Sequence, residues 1–167
     1  MTGRATSTHA VLHPLTLGAL ALLIFNDHVL KAACPGWWTG KLSDFAGLAV
    51  FPLLVAASGE LIGLWPGDRR TVAVISLATG AAFAACKLSA SAGDVYRLAF
   101  AGLQWPARAL AALLRGVALP MLGRAQLTRD PTDLLALPAL LVSPYLVRRS
   151  LAQMPRQRAR CDRVQVE

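Results

Sequence analysis

The stretch KLSDFAGLAVFPLLVAASGELIGL, residues 41–64, decides the fold, because it holds an apolar helical length that matches a bilayer. A hydrocarbon core of about 30 Å takes about 20 helical residues to cross. Working outward, three further segments of this kind occur at 11–33, 71–88 and 131–148, the first and last recruiting flanking polar residues to reach the length. Of 167 residues, 55% are hydrophobic and 16% are charged, with a mean hydropathy of +0.49. Soluble domains carry about one charged residue in four, so lipid is the expected solvent for most of this chain. The expected fold is all-α, a polytopic membrane bundle of about four transmembrane helices. One transmembrane domain covers 1–150 and a basic cytoplasmic tail covers 151–167.

Charge sets the orientation. Lys and Arg total 17 against 9 acids, a net charge of +8, which in a soluble protein would suggest nucleic acid. Position argues otherwise. Arg148, Arg149, Arg156, Arg158, Arg160 and Arg163 follow directly on the last apolar segment, as a cytoplasmic anchor at anionic lipid headgroups does. The turn Trp65-Pro66-Gly67-Asp68-Arg69-Arg70 also reads as cytoplasmic. Four crossings then put both termini inside a bacterial inner membrane and the loops at 34–40 and 89–130 outside. Trp37, Trp38, Tyr96 and Trp105 form the outer aromatic belt in this frame, and Trp65 and Tyr145 the inner one.

The segment 89–130 carries five arginines and an apolar run from Ala107 to Gly123. A fifth crossing there would put the arginine tail outside and Arg108 and Arg115 in or near lipid, at about 2.5–3.5 kcal/mol for one at the centre. The expectation is an amphipathic or re-entrant helix on the outer face. The first apolar run is expected to be a retained helix and not a cleaved signal, since Lys31 stands where a lipoprotein signal has a Leu-like residue before Cys34. Cys34, Cys86 and Cys161 have no metal-ligand spacing, and a Cys34–Cys86 pair stays open.

Ionisable groups within spans are costly and so mark candidate sites. In this topology they gather on the outer side. Asn26, Asp27, His28 and Lys31 end the first helix, Lys41, Ser43 and Asp44 open the second, Lys87 closes the third, and Asp130 and Asp133 open the fourth. Asp27 and Lys31 are four apart and Lys41 and Asp44 three apart, spacings that share a helix face. Asp44, Asp133 and His28 are the candidate catalytic groups. Lys41, Lys31, Lys87, Asp27, Asp130 and Ser43 are the candidate substrate-binding groups. No metal or cofactor is specified by the sequence, although a divalent cation suits the acids. Each residue also has a structural reading. Asp130 and Asp133 suit a helix start with Pro131 in its first turn, the lysines suit membrane-edge positions, and Gly47 suits close packing. Pro52, Pro138 and Pro144 are expected to kink their helices.

Two of these stretches carry a family resemblance. Lys41-Leu42-Ser43-Asp44-Phe45 is similar to the Lys-x-x-His-Phe motif that opens the second helix of the VanZ-like family of small bacterial membrane proteins, with Asp44 in the place of His. Arg129-Asp130-Pro131-Thr132-Asp133 resembles the family's Arg and Asp-x-x-Asp at the start of the last helix. Leu137 and Pro138 stand where the family has Asn and Gly, and 89–130 is longer than its counterpart. The resemblance implies about four transmembrane helices and a role in the cell envelope, some relatives being linked to glycopeptide resistance.

Three functions compete on these residues. One is binding or processing a lipid or lipid-linked headgroup in an outer polar pocket. Another is a structural or assembly subunit locked by paired charges. The third is a proton- or ion-coupled transporter component, which would need several copies, so a homo-oligomer stays open. The lipid bilayer is the expected partner in all three, and nucleic acid in none.

Overall fold

A computed structural model of the chain describes residues 7–123 and 127–150. The basic tail expected over 151–167 lies outside the described residues. Among those described, regular structure is helical, with no strand. Three helices are long and apolar enough to cross a membrane: Pro14–Ala33, Trp37–Leu61 and Arg69–Leu88. They correspond to the segments expected at 11–33, 41–64 and 71–88.

The described residues fold as two units, one drawn from 7–80 with 135–150 and one from 81–134. In the first, a short helix α1 (Ser7–Val11) precedes α2 (Pro14–Phe25). His13 caps α2, its Nδ1 accepting from Leu15 N at 3.2 Å, and Pro14 takes the first helical position, where its missing N–H costs nothing. The helix continues through a π-helical turn (Asn26–Leu30) into α3 (Lys31–Ala33).

Helix α4 (Trp37–Leu61) begins four residues before the expected 41 and stops three before the expected 64. Its end is set by Gly63, at φ +75°, a left-handed conformation that glycine adopts without strain. Gly63 N donates to Glu60 O and Leu64 N to Gly59 O, the paired bonds of a Schellman stop. The chain then folds back so that the Trp65 ring lies on Gly59 and Trp65 Nε1 donates to Ala56 O at 3.2 Å. A Cβ on Gly59 would fall inside that ring. Gly59→Val is therefore expected to cost about 1–3 kcal/mol, as overpacking does. The check is a lower thermal midpoint in detergent, partly restored by adding Trp65→Ala. A Cβ on Gly47, by contrast, would meet nothing within 4 Å, so close packing does not explain that glycine.

Helix α5 (Arg69–Leu88) is started by Asp68, whose Oδ1 accepts from Thr71 N at 2.9 Å. Arg69 and Arg70 thus sit in its first turn, not on the loop. Ala10, Leu53, Ala56, Val72, Leu146 and Val147 form the core of this unit. Gly80 of α5 lets Leu140 come close, since a Cβ there would lie 2.7 Å from Leu140 Cδ1.

The segment expected as a fourth span is helical but not α throughout. Pro131–Leu141 is a 3-10 helix, and a last helix over residues 142–150 continues it in α winding. Runs of 3-10 helix beyond three or four residues are uncommon. Pro138 within it has no N–H to give and its ring would collide with the carbonyl four residues back in an α-helix. Ser143 Oγ donates to Ala49 O at 2.8 Å, tying this segment to α4 one turn before Pro52.

In the second unit, a single residue, Ser89, separates α5 from α6 (Ala90–Leu114). Ser89 is extended and its hydroxyl accepts from Ala92 N, so it caps α6. The helix expected over 107–123 starts 17 residues earlier and ends at Leu114, because Gly116, at φ +65°, stops it. Gly116 N donates to Leu113 O and Val117 N to Ala112 O, a second Schellman stop. Beyond it the chain returns along α6. Trp105 Nε1 donates to Pro120 O at 2.9 Å, and Arg97 Nη2 donates to Leu127 O at 2.8 Å.

Candidate functional site

The polar residues of the first helix end are organised by its winding. Over Asn26–Leu30 the backbone is π-helical, Lys31 N donating to Asn26 O five residues back. Such turns are rare and frequent at functional sites, since the extra residue changes where side chains point. Here the neighbours Asn26 and Asp27 both reach α4. Asn26 Nδ2 donates to Thr39 O and to Ser43 Oγ, each at 2.7 Å. Ser43 Oγ in turn donates to Asp27 Oδ1 at 2.6 Å, and Lys31 Nζ lies 2.7 Å from the same oxygen.

The two ends of this relay differ in environment. Asn26 is fully buried, and its Oδ1 has no hydrogen-bond donor. A buried acceptor left without a donor costs about 1–3 kcal/mol, so a structure keeps one only for a reason. Lys31 and Asp27 are 41% and 42% exposed. An ion pair so open to solvent contributes about 0–1 kcal/mol, too little for stability to account for it. Its groups stay available to water or to a ligand. His28 is exposed on the same turn.

On α4, Lys41 is buried, its Nζ 4.7 Å from the centre of the Trp37 ring, a cation–π contact. Asp44, three residues on, is half-buried.

A second cluster forms in the unit of residues 81–134. Lys87 Nζ meets Asp133 Oδ2 at 2.6 Å with 7% and 9% of the two side chains exposed. The same ammonium donates to Thr128 O at 3.2 Å and lies 5.3 Å from the Phe83 ring centre. Asp130 has a different task. Its Oδ1 accepts from Thr132 N and Thr132 Oγ1, and its carbonyl accepts from Asp133 N, so it starts the 3-10 helix. That is the capping role its sequence context suggested.

The structure thus joins Asp27, Lys31 and Ser43 in one network and Lys87 with Asp133 in another. Three residues outside the candidate set prove central. Asn26 holds the first network together, although the sequence marked it only as one more polar residue at a helix end. Thr39 supplies a backbone acceptor, which no sequence signal reveals. Glu60 accepts through Oε2 from Ser7 Oγ, Thr8 N and Thr8 Oγ1, fastening α1 to the end of α4. A lone acid in the last turn of an apolar helix was the available clue.

Cys34 and Cys86 are free thiols. Among the described residues no three His, Cys, Asp or Glu side chains gather as a metal-ligand set. No family model, curated protein or solved structure matches the chain.

Proposed function

We propose that the chain is a multi-pass protein of the bacterial inner membrane whose polar network at the end of the first two spans binds the headgroup of a lipid or lipid-linked molecule. The observation that carries this reading is the Asn26–Ser43–Asp27–Lys31 relay, built on a π-helical turn and open to solvent at its charged end. Lys31 would hold a headgroup phosphate, and Asp27 would accept from a headgroup hydroxyl or ammonium. Lys41, Asp44 and His28 are the further groups in reach of the same two helix ends along the sequence. The envelope role fits the resemblance of 41–45 and 129–133 to the VanZ-like motifs.

A fourth crossing at 131–150 belongs to this reading. Eleven 3-10 residues at about 2.0 Å each and nine α residues at about 1.5 Å each reach about 35 Å, enough for a core of about 30 Å. Both termini are then cytoplasmic, and α6 lies on the outer face.

The test is lipid retention by the purified full-length protein, read by native mass spectrometry after mild delipidation. Phosphatidylethanolamine and phosphatidylglycerol serve as probes. Wild type is expected to keep bound lipid, and Asp27→Asn and Lys31→Gln to lose at least tenfold in occupancy with unchanged helical content. Equal retention by the variants sinks the headgroup reading. A second reading, a structural subunit locked by charge pairs, is favoured by the buried Lys87–Asp133 pair, and equal retention would leave it standing.

A further inference from the structure

Helix α6 is inside out for a helix of a water-soluble unit. Its buried positions are small, Gly93, Ala101, Ala109 and Ala112, and they lie toward the side that carries Arg97 and Arg108. Leu103, Leu110 and Leu114 occupy the opposite side and are 77%, 58% and 80% exposed. The chain's own returning segment explains the first side. Pro120 meets Trp105, while Leu127 meets Arg97 and packs on Gly93, covering the small and polar residues. Among the described residues of 81–134, nothing covers the leucines to that extent.

What covers them follows from where the helix starts and what it carries. One residue separates α6 from α5, a helix long and apolar enough to span, so α6 starts where that span ends. Its flanking charges are Arg97, Arg108 and the C-cap Arg115 against Asp94 alone, a surplus of two positive charges. Tyr96 stands exposed on the leucine face, a residue type that settles at headgroup depth. Arg97 is half-buried, with Nη1 on Asp94 at 3.2 Å and Nη2 on Leu127 O, whereas Arg108 is exposed. A leucine face carrying an aromatic residue, with arginines on the opposite side, is the pattern of an amphipathic helix lying in a bilayer surface.

We propose that α6 is a docking surface for anionic phospholipid. Its leucines lie in the upper acyl region and its arginines hold headgroup phosphates. The proposal rests on the membrane reading above but concerns a different set of residues.

The experiment uses full-length protein in nanodiscs of phosphatidylcholine with or without phosphatidylglycerol. Single cysteines replace Leu103, Leu110 or, as a control in a candidate span, Val74, in a background with the three native cysteines changed to Ser. Each carries an environment-sensitive fluorophore, quenched by lipids with spin labels at known depths. The expected result is equal, shallow depth at 103 and 110. Labels at 103 and 110 that stay unquenched and water-accessible overturn the proposal. So do depths that run steadily across the core, which would make α6 a crossing. Quenching at Val74 reports separately on whether the protein spans the membrane at all. On otherwise unaltered protein, native mass spectrometry is expected to find phosphatidylglycerol enriched at least threefold over phosphatidylcholine, and Arg97→Gln/Arg108→Gln/Arg115→Gln to abolish that enrichment. Enrichment unchanged in the triple variant overturns the anionic preference.

Discussion

Asp133→Leu is expected to be the most damaging single change in the protein, costing about 3–5 kcal/mol, because it leaves the Lys87 ammonium buried with its carboxylate gone. The pair is 2.6 Å apart with less than a tenth of either side chain exposed. Lys87→Met should cost a similar amount for the converse reason. The double variant Lys87→Met/Asp133→Leu is expected to recover most of the loss, since apolar groups of similar volume often replace a buried pair at little cost. Unfolding in detergent, followed by circular dichroism across the four proteins, gives the coupling directly. Losses that simply add would show that the pair is not coupled. Lipid retention that stays at the wild-type level in the folded fraction of both single variants would show that the Lys87–Asp133 cluster acts independently of Asp27 and Lys31.

Asn26→Ala is the second large effect, at about 1–3 kcal/mol, since it removes the fully buried amide that donates to the half-buried Thr39 carbonyl and Ser43 hydroxyl. Loss of the amide also frees the Ser43 hydroxyl that supports Asp27. The variant is therefore expected to lose lipid retention as well as stability. Asn26→Asp separates the two effects. A carboxylate keeps the volume but offers no donor to the Thr39 carbonyl, so it should destabilise at neutral pH and recover on acidification, when the protonated acid donates again. Thermal midpoints at neutral and acidic pH read the difference, and a midpoint insensitive to pH in this variant alone would contradict the donor role of Asn26.

The helices at 14–33, 37–61 and 69–88, long and apolar enough to cross a membrane, were legible because apolar runs of that length suit a bilayer. Their ends were off by a few residues where backbone geometry decided, as at Gly63, whose stop precedes the end of the apolar run. Winding was not legible. The π turn at Asn26–Leu30 and the 3-10 helix at Pro131–Leu141 satisfy contacts to other helices, and hydropathy carries no information on those. The same holds for α6, which the run from Ala107 to Gly123 misplaced. Its start depends on the Ser89 cap and its end on Gly116, and the run itself is cut by that turn.

The site was legible as residue types and only partly as partnerships. Asp27 with Lys31 followed from helix spacing, and Asp130 as a cap from its place before Pro131. Lys87 with Asp133 did not, as 46 residues separate them. Asn26 is easily passed over for a physical reason: a neutral amide in an apolar helix draws less attention than a charge, yet it has donors and an acceptor to satisfy and so ties more neighbours together.

The 3-10 helix bears on thickness. Eleven residues wound at about 2.0 Å per residue reach about 5 Å farther than the same residues wound as α-helix. That gain is about the difference in hydrocarbon thickness between a thin and a thick cell membrane. The reach of this last segment is thus a property of its winding as much as of its residue count. On the proposed fourth crossing, tightening or relaxing that winding would match the protein to bilayers of different depth without a change in sequence.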